Sequence, residues 1–171
     1  MKTYIAGGLF TIGQRVTNEL IYDKLKSEIP DLEIYLPQKN EAINSKDNFA
    51  DSVMIFEADY AELNSSDFLI AVLDDMDHGM LVELGIMFEQ GKRIFALASD
   101  IRTQGRDNKQ KYEAFLKDPF ELQWQYFNLF AIGAIKESGG GIYTNIDDLV
   151  KAVKEYVEGT NRGDLNAKLH F

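Results

Sequence analysis

The chain has 171 residues, which fits one domain with a sizeable hydrophobic core. Hydrophobic residues make up 45% of it and charged residues 27%, as in ordinary globular proteins, and the sequence has no cysteine, which excludes disulfides and thiolate metal sites. A formal net charge of -10 disfavours nucleic acid and anionic membranes as partners, and no apolar stretch reaches the roughly 18–20 residues of a membrane span, so we expect a cytoplasmic protein that binds neither.

Short apolar segments alternate with amphipathic segments along the chain, and this pattern predicts strands separated by helices. We expect five strands: Lys2 to Ala6, LEIYLP, DFLIAVLD, RIFALAS and GGGIYT. The helices expected between and after them run from Thr11 to about Glu28, from Ala50 to about Leu63, from Gly79 to Gln90 and from Asn145 to about Val157. A further helical region, from about Lys111 through Glu137, is expected to be broken at Pro119. The stretches QKNEAINSKDNF and DIRTQGRDNKQ are expected to be polar loops.

Strands that alternate with helices predict a parallel α/β sheet with helices on both faces. We expect a single domain over residues 1–158, followed by a polar tail over residues 159–171. In such sheets ligands bind outside the carboxyl ends of the strands. That rule selects three loops, at Gly7 to Phe10, Asp74 to Gly79 and Ser99 to Gln110.

Glu83 is the least expected residue of the helix that follows the second loop, because apolar residues flank it on almost every side. A first-turn acid that is stabilised by the helix dipole is the simpler interpretation. Burial of an unpaired carboxylate, however, would cost several kcal/mol, so a buried glutamate implies a partner or a chemical role. Gly85, two residues further on, removes a side chain and leaves room for something to pack there.

The loop before Glu83 contains three carboxylates, at Asp74, Asp75 and Asp77. Such acids are usually solvated or cap the next helix, which Asp77 or His78 could do here. Their spacing is not that of a calcium-binding loop, so we do not predict a metal site. The sequence has only two histidines, so we do not predict a histidine-based catalytic or metal site.

The glycine pair Gly7-Gly8 follows the first strand and lets the backbone approach a ligand closely. The surrounding GGLFTIG is not a dinucleotide-binding motif, so no dinucleotide is inferred. WQYFNLF reads as a packed aromatic segment in which Asn128 is the one polar exception.

Four stretches together are similar to a known family: YIAGGLF, YLPQKNEA, EADYAELNSSDFLIAVLDDMDHGMLVELGIMFEQGK and FNLF. They resemble the nucleoside 2-deoxyribosyltransferase family from Tyr4 to about Phe130. The block from Asp59 to Glu83 is the specific part, because the spacing of its acidic residues matches as well as their type.

The resemblance implies a flavodoxin-like (Rossmann-like), doubly wound fold of about five parallel strands. It also implies an enzyme that transfers a 2-deoxyribosyl group between nucleobases, with retention at the anomeric carbon. Glu83 matches the nucleophile, and Tyr4 matches the tyrosine that holds it. Asp59 matches the acid that exchanges a proton with the base, and Asp77 the acid that contacts the sugar hydroxyls. Such chemistry needs no metal and no organic cofactor.

The resemblance further implies a homo-oligomer with shared active sites, based on dimers and with a hexamer as one form. Asn128 matches an asparagine that reaches into the site of a neighbouring subunit, while Phe130 stands where the family often has methionine. Together with Gly7, Gly8 and Phe10 they are the remaining candidates for substrate binding. The implied partners are 2′-deoxynucleosides and free nucleobases.

The sequence does not exclude two other functions. With water as the acceptor, the same site would belong to a 2′-deoxynucleoside 5′-monophosphate N-glycosidase, although no clear phosphate-binding group is present beyond Gly7, Gly8 and His78. The third function is a non-catalytic nucleotide-binding module, which the presence of all the matching acidic residues disfavours. The preference for purine or pyrimidine bases is also open.

Overall fold

The structure of the protein is a computed structural model, and it describes residues 1–44 and 49–161. Five strands form one parallel sheet: β1 Lys2–Ala6, β2 Glu33–Tyr35, β3 Phe68–Val72, β4 Arg93–Leu97 and β5 Gly141–Tyr143. Their order across the sheet is β2-β1-β3-β4-β5, which is the order of flavodoxin-like folds. The predicted fold class is therefore confirmed.

The helices in the described residues are α1 Ile12–Glu28, α2 Glu41–Asn44, α3 Ser52–Ser65, α4 His78–Glu89, α5 Lys109–Lys117, α6 Leu129–Glu137 and α7 Ile146–Asn161. The long helical region expected from Lys111 is indeed broken at Pro119. Both predicted polar loops are wrong in part. The first overlaps a 3-10 turn at Pro37–Lys39 and contains α2, at whose start the Asn40 side chain accepts a hydrogen bond from Ala42 N. The second contains a 3-10 turn at Ile101–Thr103 and the start of α5.

The last helix, α7, continues to Asn161 rather than ending near Val157. Residues 162–171, with His170 and most of the expected polar tail, lie outside the described residues. Within residues 1–44 and 49–161, no helix is both long and apolar enough to span a membrane.

Different helices cover the two faces of the sheet, and each face carries one half of the core. Helices α1 and α7 pack on one face, whereas α4 and α6 pack on the other. Because successive side chains of a strand point to opposite faces, Ile5 of β1 lies in the first half and Tyr4 in the second. This alternation points the Tyr4 side chain toward α4.

Helix α3 forms as predicted, but most of its apolar side chains are exposed and only Leu63 is buried. Val53, Met54 and Phe56 are 59%, 48% and 54% exposed. The 3.6-residue period identifies a helix but does not say whether another element covers the apolar side. The exposed side of α3 borders the site described below.

Gly140, just before β5, lies against the backbone of β4. A Cβ at this position would fall 1.7 Å from the carbonyl oxygen of Ile94, which cannot move without disturbing the sheet. We expect Gly140→Ala to lower the free energy of unfolding by about 2 kcal/mol or more in urea titrations. Gly13→Ala is the matched control, since a Cβ there meets nothing within 4 Å, and it should unfold at the same urea concentration as wild type or slightly higher. Equal unfolding midpoints for all three proteins would contradict the contact at Gly140.

Candidate active site

Glu83 lies in the second turn of α4, and its orientation follows from where that helix begins. Asp77 is the N-cap, with Oδ1 accepting a hydrogen bond from Met80 N at 3.0 Å, so α4 starts at His78, one residue before the predicted start. The Glu83 side chain meets β1, where the Tyr4 hydroxyl donates a hydrogen bond to Glu83 Oε1 at 2.5 Å. Tyr4 is 0% exposed, so the core fixes the position of this hydroxyl.

The Glu83 carboxyl is unusually hard to ionise. Burial is the main cause that raises its pKa from 4.5 to about 7. The nearby carboxylates of Asp59 and Asp77 act in the same direction, while the hydrogen bond from Tyr4 opposes them. Burial and the charge of Glu83 raise the pKa of the Tyr4 hydroxyl far above its ordinary value, so Tyr4 stays a hydrogen-bond donor. Above about pH 7, Glu83 is therefore an ionised carboxylate held by a neutral tyrosine.

A second carboxyl group, Asp59 on α3, is held by a chain of two hydrogen bonds. The Tyr35 hydroxyl donates to Asp59 Oδ1 at 2.9 Å, and Asn40 Nδ2 donates to the Tyr35 hydroxyl oxygen at 2.8 Å. Burial raises the pKa of Asp59, although the hydrogen bond from Tyr35 lowers it. A raised pKa suits a carboxyl group that gives up a proton and takes it back.

Asp59 and Glu83 line one cavity of about 260 Å³ between α3 and α4, which we call the carboxylate pocket. Its apolar walls come from the same two helices: Ile55, Phe56, Tyr60, Leu63, Val82 and Ile86. The rings of Phe56 and Tyr60 stack with centroids 5.4 Å apart and offer an aromatic surface to a flat ligand. Two carboxyl groups in such a pocket can cleave a glycosidic bond, one by attacking and the other by exchanging protons.

The first predicted ligand loop lies at the carboxyl end of β1, on the α1 side of the sheet. A Cβ at Gly7 would come within 3.0 Å of Asn18 Oδ1 and 3.1 Å of Val72 Cβ, so Gly7 permits close packing inside the protein. Gly8 lines a second cavity beside α1, and the Phe10 ring is 76% exposed. None of these three residues, Gly7, Gly8 and Phe10, lines the carboxylate pocket.

The structure does not bring Asn128 and Phe130 to the carboxylate pocket either. Asn128 caps α6 by accepting a hydrogen bond from Phe130 N at 2.9 Å, and the Phe130 ring is 91% exposed. Both residues line a groove of about 730 Å³ between α4 and α6, which we call the α4–α6 groove. Gly85 lines the same groove, so the room it leaves is not beside Glu83.

Two of the loop acids bind groups of the chain itself. Asp74 accepts hydrogen bonds from Ser99 N at 2.6 Å and from Ser99 Oγ at 2.5 Å. Asp75 accepts a hydrogen bond from Gln14 Nε2. In the part of the chain that the structure describes, no three potential metal ligands lie together.

Sequence reasoning missed Tyr35 and Asn40, the two residues that hold Asp59. The available signal was the polar stretch YLPQKN at the end of the second strand. That stretch does not show that Tyr35 reaches Asp59 on α3. The contact depends on the pairing of β1 with β2, which places the Tyr35 ring beside the Tyr4 ring, with centroids 5.2 Å apart. No local pattern in the sequence shows that pairing.

The hydrogen bond from Tyr35 leads to a direct prediction about the pKa of Asp59. Tyr35→Phe removes a group that favours the ionised carboxylate, so the pKa of Asp59 should rise further above its ordinary value. The measurement is an NMR titration of the Asp59 side-chain carboxyl carbon in both proteins. Tyr22→Phe, at a ring that lies under Lys39 Nζ, is the matched control and should not move the titration. Identical curves for wild type and Tyr35→Phe would show that Tyr35 does not tune Asp59.

Solved structures resemble the protein over most of its length. A conserved protein from Enterococcus faecalis V583 matches with a TM-score of 0.84 and 36% identity, covering 91% of this chain and 98% of that chain. A 2-deoxyribosyltransferase from Bacillus psychrosaccharolyticus matches with a TM-score of 0.61 and 15% identity, covering 88% and 90%. The CMP N-glycosidase BcmB from Clostridium botulinum matches with a TM-score of 0.51 and 13% identity, covering 91% and 99%. The last two similarities concern the fold alone, and no functionally curated protein matches the chain.

One protein-family model matches the sequence over residues 3–129. That range runs from β1 to the start of α6 and takes in Tyr4, Asp59, Asp77 and Glu83. It covers well over half of the chain, and the fold agrees with the match. The chain therefore belongs to the nucleoside 2-deoxyribosyltransferase family.

Proposed function

We propose that the protein transfers a 2-deoxyribosyl group from one nucleobase to another, with retention, through a covalent glycosyl-enzyme on Glu83. The observation that carries this proposal is the contact of 2.5 Å between the buried Tyr4 hydroxyl and Glu83 Oε1, at a carboxylate that shares its pocket with Asp59. A carboxylate that is fixed, largely desolvated and paired with a second acid is the arrangement that a retaining glycosyl transfer needs.

In the first half of the reaction, ionised Glu83 attacks C1′ of the sugar while the bond between C1′ and the base nitrogen breaks. The reactive form of the site has Glu83 ionised and Asp59 protonated. The electron pair of the broken bond leaves with the base, and Asp59 donates its proton to the base. Tyr4 holds Oε1, which leaves Oε2 free to form the ester bond to C1′. In the second half, an incoming base attacks C1′, Asp59 takes a proton from it, and Glu83 is released. Two inversions at C1′ give net retention.

Asp77 is proposed to position the sugar. Its Oδ1 accepts a hydrogen bond from Met80 N, and Oδ2 has no hydrogen bond among the described residues. The charge of Asp77 is close enough to Glu83 to raise the pKa of Glu83. Oδ2 is thus available to accept a hydrogen bond from a sugar hydroxyl next to the attacking carboxylate.

We also propose that the chain works as a homo-oligomer with shared sites. Asn128 and Phe130 do not line the carboxylate pocket of their own chain, which is the arrangement expected if they complete the pocket of a second copy. Leu129 and Phe130 are 79% and 91% exposed beside the α4–α6 groove, an apolar surface of the kind that subunit interfaces cover. Exclusion of water by a neighbouring subunit would favour transfer over hydrolysis.

The second candidate function is hydrolysis of the N-glycosidic bond, with water in place of the incoming base. It is supported by the likeness of the fold to that of the Clostridium botulinum CMP N-glycosidase. The carboxylate pocket would perform the same first half-reaction in both cases, so only the acceptor differs.

One incubation separates these functions. The protein is mixed with deoxyinosine and free adenine, beside a control without adenine, and the products are separated by chromatography. Transfer predicts deoxyadenosine that forms only with adenine, with little free deoxyribose. Hypoxanthine and free deoxyribose in both samples, without deoxyadenosine, would show that the protein hydrolyses the glycosidic bond and does not transfer the sugar. Repetition with thymidine as donor distinguishes purine-specific activity from broad activity, and no reaction with any donor would contradict both functions.

A further inference from the structure

Asn40 lies at the junction of two short helical turns, and this position fixes which way its side chain faces. Its backbone N–H closes the 3-10 turn Pro37–Lys39 by donating to Pro37 O at 2.9 Å, and its carbonyl oxygen accepts from Asn44 N at 3.1 Å in α2. The side-chain Oδ1 accepts a hydrogen bond from Ala42 N at 3.2 Å. Since a backbone N–H can only donate, the oxygen of the Asn40 amide must face Ala42, and Nδ2 must face the other way.

The orientation of the Asn40 amide sets the direction of the hydrogen bonds that end at Asp59. Asn40 Nδ2 donates to the Tyr35 hydroxyl oxygen at 2.8 Å, so the one hydroxyl proton of Tyr35 is available to Asp59 Oδ1, at 2.9 Å. Burial is the main cause that raises the pKa of the Tyr35 hydroxyl, so Tyr35 keeps this proton at neutral pH. Every hydrogen bond in the series from Ala42 N to Asp59 therefore donates in the direction of Asp59.

This direction distinguishes the two oxygens of the Asp59 carboxyl group. Oδ1 accepts from Tyr35, and a carbonyl oxygen is a better acceptor than the oxygen of a carboxylic O–H group, so a neutral Asp59 carries its proton on Oδ2. Among the described residues no group is hydrogen-bonded to Oδ2, and this oxygen is not enclosed by the protein. Because Asp59 lines the carboxylate pocket, its proton lies on the oxygen that is open to a ligand there.

We propose that Asn40 is a positioning residue for proton exchange: through Tyr35 it keeps the proton of Asp59 on Oδ2, where a departing or incoming base can reach it. The inference rests on the proposed function and adds to it the residue that controls which oxygen of Asp59 holds the proton. Neither Asn40 nor Tyr35 lines the carboxylate pocket, so both act through Asp59 and not by touching the substrate.

Asn40→Asp tests the proposal, because it reverses the direction of the series and keeps the size of the side chain and the acceptor for Ala42 N. The second carboxylate oxygen accepts as well, so the Tyr35 hydroxyl turns toward it, and a neutral Asp59 donates to the Tyr35 oxygen from Oδ1. Formation of deoxyadenosine from deoxyinosine and adenine should slow about tenfold. First-turnover release of nitrophenolate from a 4-nitrophenyl 2-deoxyriboside, which needs no proton, should stay within about twofold of wild type. Both donors need ionised Glu83, so a loss confined to the natural base excludes an effect on the nucleophile.

The pKa of Asp59 should rise in the same variant, and this rise alone would not slow the reaction. Loss of the donor Tyr35 and gain of a second carboxylate add to burial and to the charge of Glu62, which already raise that pKa. Glu83 and Tyr4 are the other titratable groups that the charge of Asp59 affects. A higher pKa leaves more Asp59 protonated and able to donate, so a raised pKa together with a lowered rate indicates a proton on the wrong oxygen. An NMR titration of the Asp59 carboxyl carbon measures the pKa.

Two further proteins separate this effect from added charge and from damage to α2. Asn161→Asp makes the same substitution at an exposed residue of α7, on the opposite face of the sheet, and should behave as wild type. Asn40→Asp in a Tyr35→Phe background should change the rate by less than about twofold relative to Tyr35→Phe alone, because without the hydroxyl there is no direction to reverse. A full loss in that background would assign the effect to charge or to α2 and would overturn the inference.

The remaining outcomes also decide the question. Transfer by Asn40→Asp at the wild-type rate would overturn the inference, and so would an equal loss with deoxyinosine and with the nitrophenyl donor. The titration needs no turnover, so it also applies to a protein whose wild type performs neither transfer nor hydrolysis. In that case the proposed function fails, whereas a raised pKa of Asp59 in Asn40→Asp would still support the direction of the hydrogen bonds and an unchanged pKa would contradict it.

Discussion

Replacing Glu83 with glutamine is expected to lower turnover about 10⁴-fold or more. The amide keeps the shape of the carboxylate and can still accept the hydrogen bond from Tyr4, but it cannot form the glycosyl ester on which both half-reactions depend. The measurement is the initial rate of deoxyadenosine formation from deoxyinosine and adenine. Glu155→Gln, at an exposed glutamate of α7 on the opposite face of the sheet, is the control and should keep the wild-type rate.

The same substitution should not damage the fold, and the sign of its effect on stability follows from the pKa of Glu83. That pKa is about 7 in the folded protein and 4.5 as the ordinary value. The folded state therefore binds the proton more tightly, and ionisation of Glu83 costs stability progressively as the pH rises from 4.5 to about 7. Glu83→Gln removes this cost, so the substituted protein should match or exceed the thermal stability of wild type at pH 8 and gain nothing near pH 4. Turnover within tenfold of wild type, in a protein that is correctly folded, would contradict the role of Glu83.

Asp59→Asn is expected to lower the rate of transfer between natural bases by about 10²–10³-fold, because the leaving base departs without a proton. The loss should depend on the leaving group. A 4-nitrophenyl 2-deoxyriboside releases a stable phenolate that needs no proton, so Asp59→Asn should form the glycosyl-enzyme from it at nearly the wild-type rate. The first-turnover release of nitrophenolate, followed by its absorbance, measures this step.

Glu57→Gln, on the same helix but exposed, is the control for Asp59→Asn and should behave as wild type with both donors. An equal loss with the natural base and with nitrophenolate would show that Asp59 positions the sugar or supports the pocket instead of exchanging a proton. Full activity with the natural base would remove Asp59 from the mechanism altogether.

The sequence predicted the sheet well because its strands are short apolar runs with clear boundaries. DFLIAVLD, for example, becomes β3, in which all five residues are buried. The N-cap of α4 is Asp77, one of the two residues that the sequence offers for this role, because an acidic residue before an amphipathic segment is a local signal. Glu83 is also identified by a local signal, because the apolar residues that surround it are its neighbours in the chain.

What the sequence could not predict depends on contacts between distant segments. The hydrogen bond from Tyr35 to Asp59 joins residues 24 positions apart, and the bond from Tyr4 to Glu83 joins residues 79 positions apart. Hydrophobic periodicity also cannot say which apolar faces the chain leaves uncovered, as at Phe56 on α3. Only the resemblance to a family suggested that Tyr4 and Glu83 belong together.

The most direct test of the proposed mechanism is mass spectrometry of the intact protein, quenched with acid during reaction with deoxyinosine in the absence of an acceptor base. The mechanism predicts a species heavier by one 2-deoxyribosyl group, with the added mass on the peptide that contains Glu83 and lost when adenine is supplied before the quench. The same experiment on Glu83→Gln should give no adduct. An active protein that shows no adduct under these conditions, or an adduct on another residue, would contradict covalent transfer through Glu83.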